Sequence, residues 1–588
     1  MTAFLGVEES LTGRRWVGPD AAIERLAEGL AREAGLPLPV ARILAARGVP
    51  AAEAAGYLDP RLRDLMPDPR GMRDAGAAAA RLVQAARDRQ RIAVFADYDV
   101  DGGSSAALVQ EWLRGMGHKA TLYIPDRIDE GYGPNVPAMQ ALAADHDLIV
   151  CVDCGTLSFE PIAAARNTAP GTDVVVMDHH LAAETLPDAF AVVNPNRQDD
   201  SSDLGHLCAA GVVFMVLVEA NRQLREAGVK PPDLIPMLDL VALATVADVA
   251  PLIGLNRAFV RQGLRIMAER QRPGLAALAD VAGLSAPPAA FHLGFLIGPR
   301  VNAGGRVGKS DLGARCLATR DPTEARNLAH ALDELNRDRR AIEAAVRTEA
   351  LAQHEARTAR MGDVAPGVAW AASQGWHAGV VGIVAARLKE ATGLPSVVIG
   401  IDGGVGKGSA RSVAGVDLGH AVHRLAEEGL LERGGGHAMA AGLTVAEAKI
   451  EAAMARLAAL LAPEMSARTG VGDLRISGLL EPAAATPELL AQLDDAGPFG
   501  QAAPAPRFAF ADVAVSGASV MGDNHLRLKF GAGGQPIEAV AFGAMDSPLG
   551  PAIISSKGRR FHLAGKLELS TWGGRARARL RLDDAAPA

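Results

Sequence analysis

A chain of 588 residues is too long for one hydrophobic core and implies about three or four domains. Its 49% hydrophobic and 22% charged content is that of an ordinary globular protein, and no run of about 18 apolar residues suggests a membrane span. A net charge of −8 excludes a globally basic nucleic-acid binder, so any basic surface has to be local.

The opening stretch "MTAFLGVEESLTGRRWVGPD" carries early acids and no apolar h-region, so it does not read as a signal peptide. Four cysteines, Cys151, Cys154, Cys208 and Cys316, are too few for a disulfide framework, and a cytoplasmic location is expected. Residues 1–88 are Ala-rich and helical in pattern, with Pro-marked breaks at "LDPRLRDLMPDPRGM". Over 89–322, the strands "RIAVFAD", "TLYIP", "DLIVCVD", "DVVVMD" and "AVVNP" alternate with helical stretches, which predicts βαβ units on a parallel sheet. Residues 323–362 begin with a long charged run that lacks Pro and Gly to residue 360, and they predict a helix joining two domains. A second α/β block is expected over 363–465. Short strands with Gly turns over 466–588 predict a small β-barrel or sandwich. Within that last block, Lys557 to Arg581 holds eight Lys/Arg against the single acid Glu568, with Arg575, Arg577, Arg579 and Arg581 at strand period and Trp572 nearby. The stretch reads equally as a solvated strand face or as a nucleic-acid surface.

Three predicted strands end in acid: "FADYDVD" at Asp97, Asp99 and Asp101, "LIVCVDCG" at Asp153, and "VVVMDHH" at Asp178 followed by His179 and His180. Strand ends of a parallel sheet open into one crevice, so these groups converge there. One strand-end Asp is most often a helix cap. The whole set is better explained as an oxygen-rich site for manganese or magnesium, whose charge would offset the crowded carboxylates.

"DYDVDG", "VDCGT", "MDHH" with "VVNPN", and "ATVADV" resemble the ordered motifs of the DHH phosphoesterase superfamily. "IPDRIDEGYGPN", "GPRVNAGGRVG", "GWHAGVVGIVAARL", "GSARSV", "GGGHAMAAG" and "GPFGQAAPAPRF" are similar to the bacterial single-strand exonucleases within it, over about residues 30–582. The resemblance implies DHH-type and DHHA1-type α/β domains rich in parallel sheet, a linking helix and a C-terminal OB-like barrel. It implies Asp99 and Asp101 as metal ligands, Asp153 as the bridge between two ions, and His179 and Asp248 as the remaining ligands. Many members carry a His where this chain has Phe95, and Asp97 would compensate, directly or through water. His180 would face the phosphate. The implied reaction is 5′→3′ hydrolysis of single-stranded DNA in recombination and repair, through two Mn2+ or Mg2+ ions and an in-line displacement at phosphorus. A single-strand-binding protein and a RecQ-type helicase are the implied candidate partners, with no membrane and a monomeric enzyme.

Grip on the strand is expected from the second α/β block. Gly434, Gly435 and Gly436 would offer consecutive N–H groups beside His437, and Ser409 and Arg411 would add phosphate donors. Gly-rich runs are more often plain turns, and the metal site and the resemblance together favour phosphate. Arg127, Arg300, Asn302 and Arg306 are the further candidates for holding terminal nucleotides. His377 is either catalytic or orienting. "AGGRVGKS" is not a P-loop, because Ala303 replaces the first Gly and no buried strand precedes it. Cys151 and Cys154 have redox or zinc spacing but are read as packing residues. Two alternatives stand beside the exonuclease: a hydrolase of short oligonucleotides, cyclic dinucleotides or pyrophosphate, and an inactive scaffold. The length and C-terminal block oppose the first, and the retained acids oppose the second.

Overall fold

The computed structural model describes residues 2–588 apart from 127–129, 132, 170, 362–366, 468–471, 532–535, 557 and 571–575. The chain divides into two compact units. One comprises Pro69–Asp248 and Ile266–Thr469; the other comprises Met1–Asp68, Val249–Arg265 and Gly470–Ala588.

The first unit is built on two sheets. Strands β1 (Ile92–Ala96), β2 (Ala120–Tyr123), β3 (Leu148–Val152), β4 (Asp173–Met177) and β5 (Ala191–Val193) pair in the order β2-β1-β3-β4-β5, all parallel. Every residue of β1 and β3 is buried. A parallel sheet covered on both faces imposes this, which is why these strands read as unbroken apolar runs. Helix α1 (Val100–Gly115) follows β1, and α2 (Ala209–Glu226) and α3 (Leu238–Ala247) pack against it. A π-helical turn, Leu293–Ile297, leads into α4 (Gly298–Val307).

Helix α5 (Pro322–Met361) runs for 40 residues, about 60 Å at 1.5 Å per residue. Its Asp333 accepts from Arg300 Nε at 2.9 Å, while farther along Glu349 accepts from Trp376 Nε1 at 2.8 Å. Each part of the helix therefore serves a different α/β sheet. The second sheet contains β6 (Ala369–Gln374), β7 (Ser396–Asp402), β8 (Val405–Arg411), β9 (Arg433–His437) and β10 (Ala440–Ala446), ordered β9-β10-β8-β7-β6. Parallel pairing here is confined to β6 and β7; the other three pairings are antiparallel. Helix α6 (Ala378–Thr392) connects β6 to β7, and Val380 and Val384 on it pack with Val346 and Ala350 of α5.

The second unit holds a closed five-stranded barrel: β11 (Phe508–Met521), β12 (His525–Phe530), β13 (Ile537–Ala541), β14 (Arg560–Ser570) and β15 (Arg577–Pro587). β11 pairs with both β12 and β14 and bends at two register shifts, which lets one long strand turn the barrel corner. β13 lies parallel to β15, and β15 antiparallel to β14, closing the ring. Residues near the N-terminus complete this unit. Val40, Leu44 and Leu30 share one hydrophobic cluster with Phe508, Phe510 and Phe530. Trp16 pairs in parallel with Leu474, and its Nε1 donates to buried Asp584 Oδ2 at 2.9 Å.

Candidate metal centre

Five acids and two histidines meet at the carboxyl edge of the first sheet. Asp97 follows β1 directly. Asp99 caps α1, its Oδ1 accepting from Asp101 N at 2.8 Å and Gly102 N at 3.1 Å. The turn is so tight that a Cβ on Gly102 would lie 2.3 Å from the Asp97 carbonyl oxygen. Asp101, in the first turn of α1, points both oxygens at the start of α2, accepting from Ala209 N at 2.7 Å and Ala210 N at 2.8 Å. Asp153 follows β3 at φ +58°, a left-handed conformation that Asp and Asn adopt more readily than most residues. Asp248 ends α3.

These side chains form linked groups. Asp97, Asp99 and Asp153 each offer a ligand atom within 4.8 Å of the others; so do Asp101, His179 and Asp248, and Asp153, His179 and His180. His179 Nε2 lies 3.4 Å from Asp153 Oδ1, 3.7 Å from Asp101 Oδ2 and 3.9 Å from Asp248 Oδ2. Most of these separations exceed hydrogen-bond length, and they approach the roughly 3 Å between neighbouring ligands of one octahedral ion. Asp153 belongs to both the Asp97–Asp99 group and the His179–His180 group, and His179 links the latter to Asp101 and Asp248. Phe95 lies in the core, stacked on Tyr123 with ring centroids 5.3 Å apart, while Asp97 two residues later joins the acids.

Electrostatics set the acids apart. Burial, then the charges of Asp101, Asp99 and Asp97, holds Asp153 well above the ordinary carboxylate range. Burial likewise raises Asp101, against the opposing influence of His179. Burial, then Asp101 and Asp99, pushes Asp248 up to about 8. Crowded carboxylates can lower this strain by taking up protons or by holding a cation, and an all-oxygen and imidazole donor set suits a hard divalent ion. The residues present fit such an ion.

Asp178, which the sequence marks only as a strand-end acid, organises the histidines. Its Oδ1 accepts from His179 N at 2.8 Å and lies 2.8 Å from His180 Nδ1; its Oδ2 accepts from Thr156 N at 3.1 Å. Burial would raise Asp178, but the hydrogen bond and charge of His180 outweigh it and hold the acid low. Burial would lower His180, and the bond and charge of Asp178 instead raise it to about 9. This pairing favours the protonated form of His180, a form suited to a phosphate. The "NPN" residues brace this loop: Asn194 Nδ2 donates to Thr156 Oγ1 at 2.9 Å and to His180 O at 2.8 Å, and Asn196 Nδ2 donates to His179 O. Only the "VVNPN" motif hinted at them, and without a role.

The expected strand-holding residues fare unevenly. Arg127 lies outside the described residues, as do Lys557, Trp572 and Arg575 of the basic C-terminal stretch. Arg300 is buried, with Nε on Asp333 and Nη1 on Leu296 O at 2.8 Å, which ties α4 to α5. Asn302 Oδ1 accepts from Val100 N at 2.9 Å, steadying the acid-bearing turn. One helical turn on, Arg306 Nη1 donates to Gly379 O at 3.1 Å, and His377 Nδ1 caps the same helix start by accepting from Gly379 N at 3.0 Å. Helix α4 therefore ties the acid turn to the first turn of α6, and His377 is an orienting cap. Ser409 and Arg411 share one face of β8, Arg411 Nη1 donating to Ser409 Oγ at 2.9 Å. Burial lowers the Arg411 pKa. Gly434, Gly435 and Gly436 are not the expected loop of consecutive N–H groups. They lie in β9, an edge strand paired with β10, where alternate N–H groups turn away from the sheet. Gly436 takes φ +155°, and a Cβ there would meet Ala440 O at 2.3 Å. His437 ends this strand and is exposed. All four cysteines are free and buried, and burial pushes the Cys151 thiol up to about 12, as packing residues require.

Comparison with known proteins follows the same divisions. The DHH family N-terminal domain matches residues 91–245, the DHHA1 domain 365–462 and the RecJ OB domain 476–584. The single-stranded-DNA-specific exonuclease RecJ of Dickeya dadantii is 39% identical over 573 residues, covering 94% of this chain and 96% of that protein. The Escherichia coli protein of the same name is 36% identical over 569 residues, with the same coverage. The crystal structure of RecJ in complex with Mn2+ from Thermus thermophilus superposes with a TM-score of 0.80 at 28% identity, over 97% of this chain and 79% of that one. The Mg2+ complex gives 0.74 at 28% identity, over 97% and 78%. The chain belongs to the RecJ family of single-stranded-DNA-specific exonucleases, within the DHH phosphoesterases.

Proposed function

We propose that this protein is a divalent-metal-dependent exonuclease that hydrolyses single-stranded DNA in the 5′→3′ direction, with two Mn2+ or Mg2+ ions, in recombination and repair. The observation that carries the reading is the linked set of buried, pKa-raised carboxylates around His179. Relatives named for single-stranded DNA and structures bound to Mn2+ and Mg2+ support the substrate and the ions.

Asp97, Asp99 and Asp153 would hold one ion and Asp101, His179 and Asp248 the other, with Asp153 common to both. Bound there, such ions supply a water of lowered pKa and neutralise charge on the phosphoryl oxygens. The chain itself supplies orientation and a fixed cation. Asp178 keeps His180 protonated and aimed by Nδ1, so its charge faces the scissile phosphate. Ser409, Arg411, His437 and the glycine edge at Gly435 and Gly436, where the N–H of Gly435 turns outward, would grip a neighbouring phosphate, with Arg127 assigned the same task. Arg300, Asn302 and Arg306 hold these parts in register.

In this reading residues 89–322 are catalytic, 323–362 connect, 363–465 bind substrate, and 466–588 bind nucleic acid. On β15, Arg577, Arg579 and Arg581 alternate with buried Leu580 and Leu582, so the three arginines face outward. Arg581 stands 5.7 Å from the centroid of the exposed Phe542 ring, pairing charge with a stacking surface as single-strand binders do. A single-strand-binding protein and a RecQ-type helicase are the proposed partners of a monomeric, cytoplasmic enzyme. Among the described residues no helix is long and apolar enough to cross a membrane. The test is digestion of strands labelled at either end, with Mn2+, Mg2+ or EDTA. Early loss of 5′ label with metal, and none in EDTA, is expected. Early loss of 3′ label overturns the polarity, and cleavage in EDTA overturns the metal assignment.

A further inference from the structure

Two aromatic rings stand exposed on the first unit with no function assigned to them. Phe291 is 53% and Phe295 62% exposed, and their rings stack with centroids 4.9 Å apart at 23°. Water-facing aromatics usually scatter singly, whereas these two lie one above the other at i, i+4. Phe295 sits inside the π-helical turn Leu293–Ile297, a geometry found mostly at functional sites.

The position of that turn identifies its occupant. A Cβ on Gly294 would lie 3.5 Å from the Val246 side chain, and one on Gly298 would lie 3.4 Å from Ala247 Cβ and 3.8 Å from Val100. Val246 and Ala247 immediately precede Asp248, and Val100 immediately follows Asp99. The turn is thus packed on side chains that flank two of the candidate metal ligands, and Phe295 lies in sequence between the two contacting glycines. A strand whose phosphate reaches those ligands has its bases within reach of the same surface. Flat rings accept any base by its π-face, so such contacts add grip without sequence preference.

We propose that Phe291 and Phe295 form a stacking platform that holds a nucleobase of the substrate strand beside the metal centre. The proposal rests on the single-strand exonuclease reading above. Steady-state digestion by the full-length protein with Mn2+ tests it, using strands that carry one abasic residue stepped inward from the end. For the wild type, one abasic position should raise KM on the order of tenfold. Phe295→Leu should raise KM similarly on intact strands, leave kcat nearly unchanged, and add nothing at that abasic position. Phe295→Tyr should restore wild-type behaviour, because it keeps the ring, and Phe291→Leu should act as Phe295→Leu does. Quenching of 2-aminopurine at the sensitive position should weaken in Phe295→Leu and persist in Phe295→Tyr. A wild-type KM for both Leu variants, or losses that simply add to the abasic loss, overturns the platform and leaves the pair to a protein partner. Absence of strand cleavage by the wild type would instead defeat the exonuclease reading itself.

Discussion

The two α/β sheets of the first unit present opposite chemistry at their working edges. The first, all parallel, ends in acceptors: carboxylates at Asp97, Asp99, Asp101 and Asp153 gathered where strands β1 and β3 stop. The second, mostly antiparallel, presents donors: Arg411 and Ser409 on β8 and the free edge of β9. A parallel sheet concentrates its strand ends in one place, which suits a dense charge cluster. An antiparallel hairpin leaves an edge of backbone N–H groups, which suits an anion. A cation-bridged phosphate needs both kinds of edge, and α4 fixes one against the other through Asn302 and Arg306.

The sharpest way to break this contrast is at Asp153. Asp153→Asn keeps a residue that tolerates φ +58° but removes the charge common to the linked groups. Turnover should fall by several powers of ten with the circular dichroism unchanged. The metal-free protein should melt at a higher temperature, because a buried repulsive charge has gone. Near wild-type turnover in a folded variant would end the two-ion assignment.

On the donor side, Arg411→Ala should raise KM for strands on the order of tenfold to a hundredfold while calorimetry shows Mn2+ binding as before. Loss of metal with activity retained would mean the two sheets have been given the wrong roles. Asn194→Ala tests whether the brace beneath the histidines matters. It removes the bonds to Thr156 and His180 O, and about 10- to 100-fold in activity or metal affinity should go with them.

Smaller effects should follow pH. The folded protein raises Asp101, Asp153 and Asp248, the last to about 8, so it binds their protons more tightly than the unfolded chain does. Their contribution to stability is therefore complete near and below the ordinary carboxylate range and is lost as the pH climbs toward 8. Thermal melts of metal-free protein should drop from about pH 5 to about pH 8, and Mn2+ should reverse the drop. A melting temperature that rises over that interval without metal would contradict the crowding argument. Smallest of all, Arg577→Ala with Arg581→Ala should lessen the salt slope of strand binding by about 0.7 per lost phosphate contact.

The acceptor edge was far more legible in the chain than the donor edge. "DYDVDG", "VDCG" and "MDHH" each put an acid straight after an apolar strand, so local pattern and the parallel-sheet rule together located the cluster. The linking helix was equally plain, expected from 323 and found from Pro322, because an uninterrupted run lacking Pro and Gly has few alternatives. The bonds from Arg300 to Asp333 and from Val100 to Asn302 were not legible, because the partners are remote in sequence and silent in any local pattern. Asp178 was visible, but its role needed the positions of His180 and Thr156. "GGGH" suggested a loop, yet close approach of Ala440 favours glycine in a strand just as well. Nothing local joins the first residues to the barrel. Because Val40 and Leu44 share its core, a chain cut near residue 465 would strip the packing from residues 21–46, so point changes in β15 test DNA binding more cleanly than truncation.

The pairing of Trp16 with Leu474, and its bond to Asp584, has a consequence in time. During synthesis at roughly 5–20 residues per second, the partner of Trp16 emerges on the order of 20–90 s after it. Over that interval the N-terminal helices carry an apolar face whose cover has not yet been made. Both α/β sheets can form meanwhile, since all their strands lie between residues 92 and 446. The order of maturation therefore runs from the middle of the chain outward, with the first-made segment among the last to settle. A ribosome-bound chain stopped short of the barrel should show protease-sensitive N-terminal residues beside a resistant catalytic sheet.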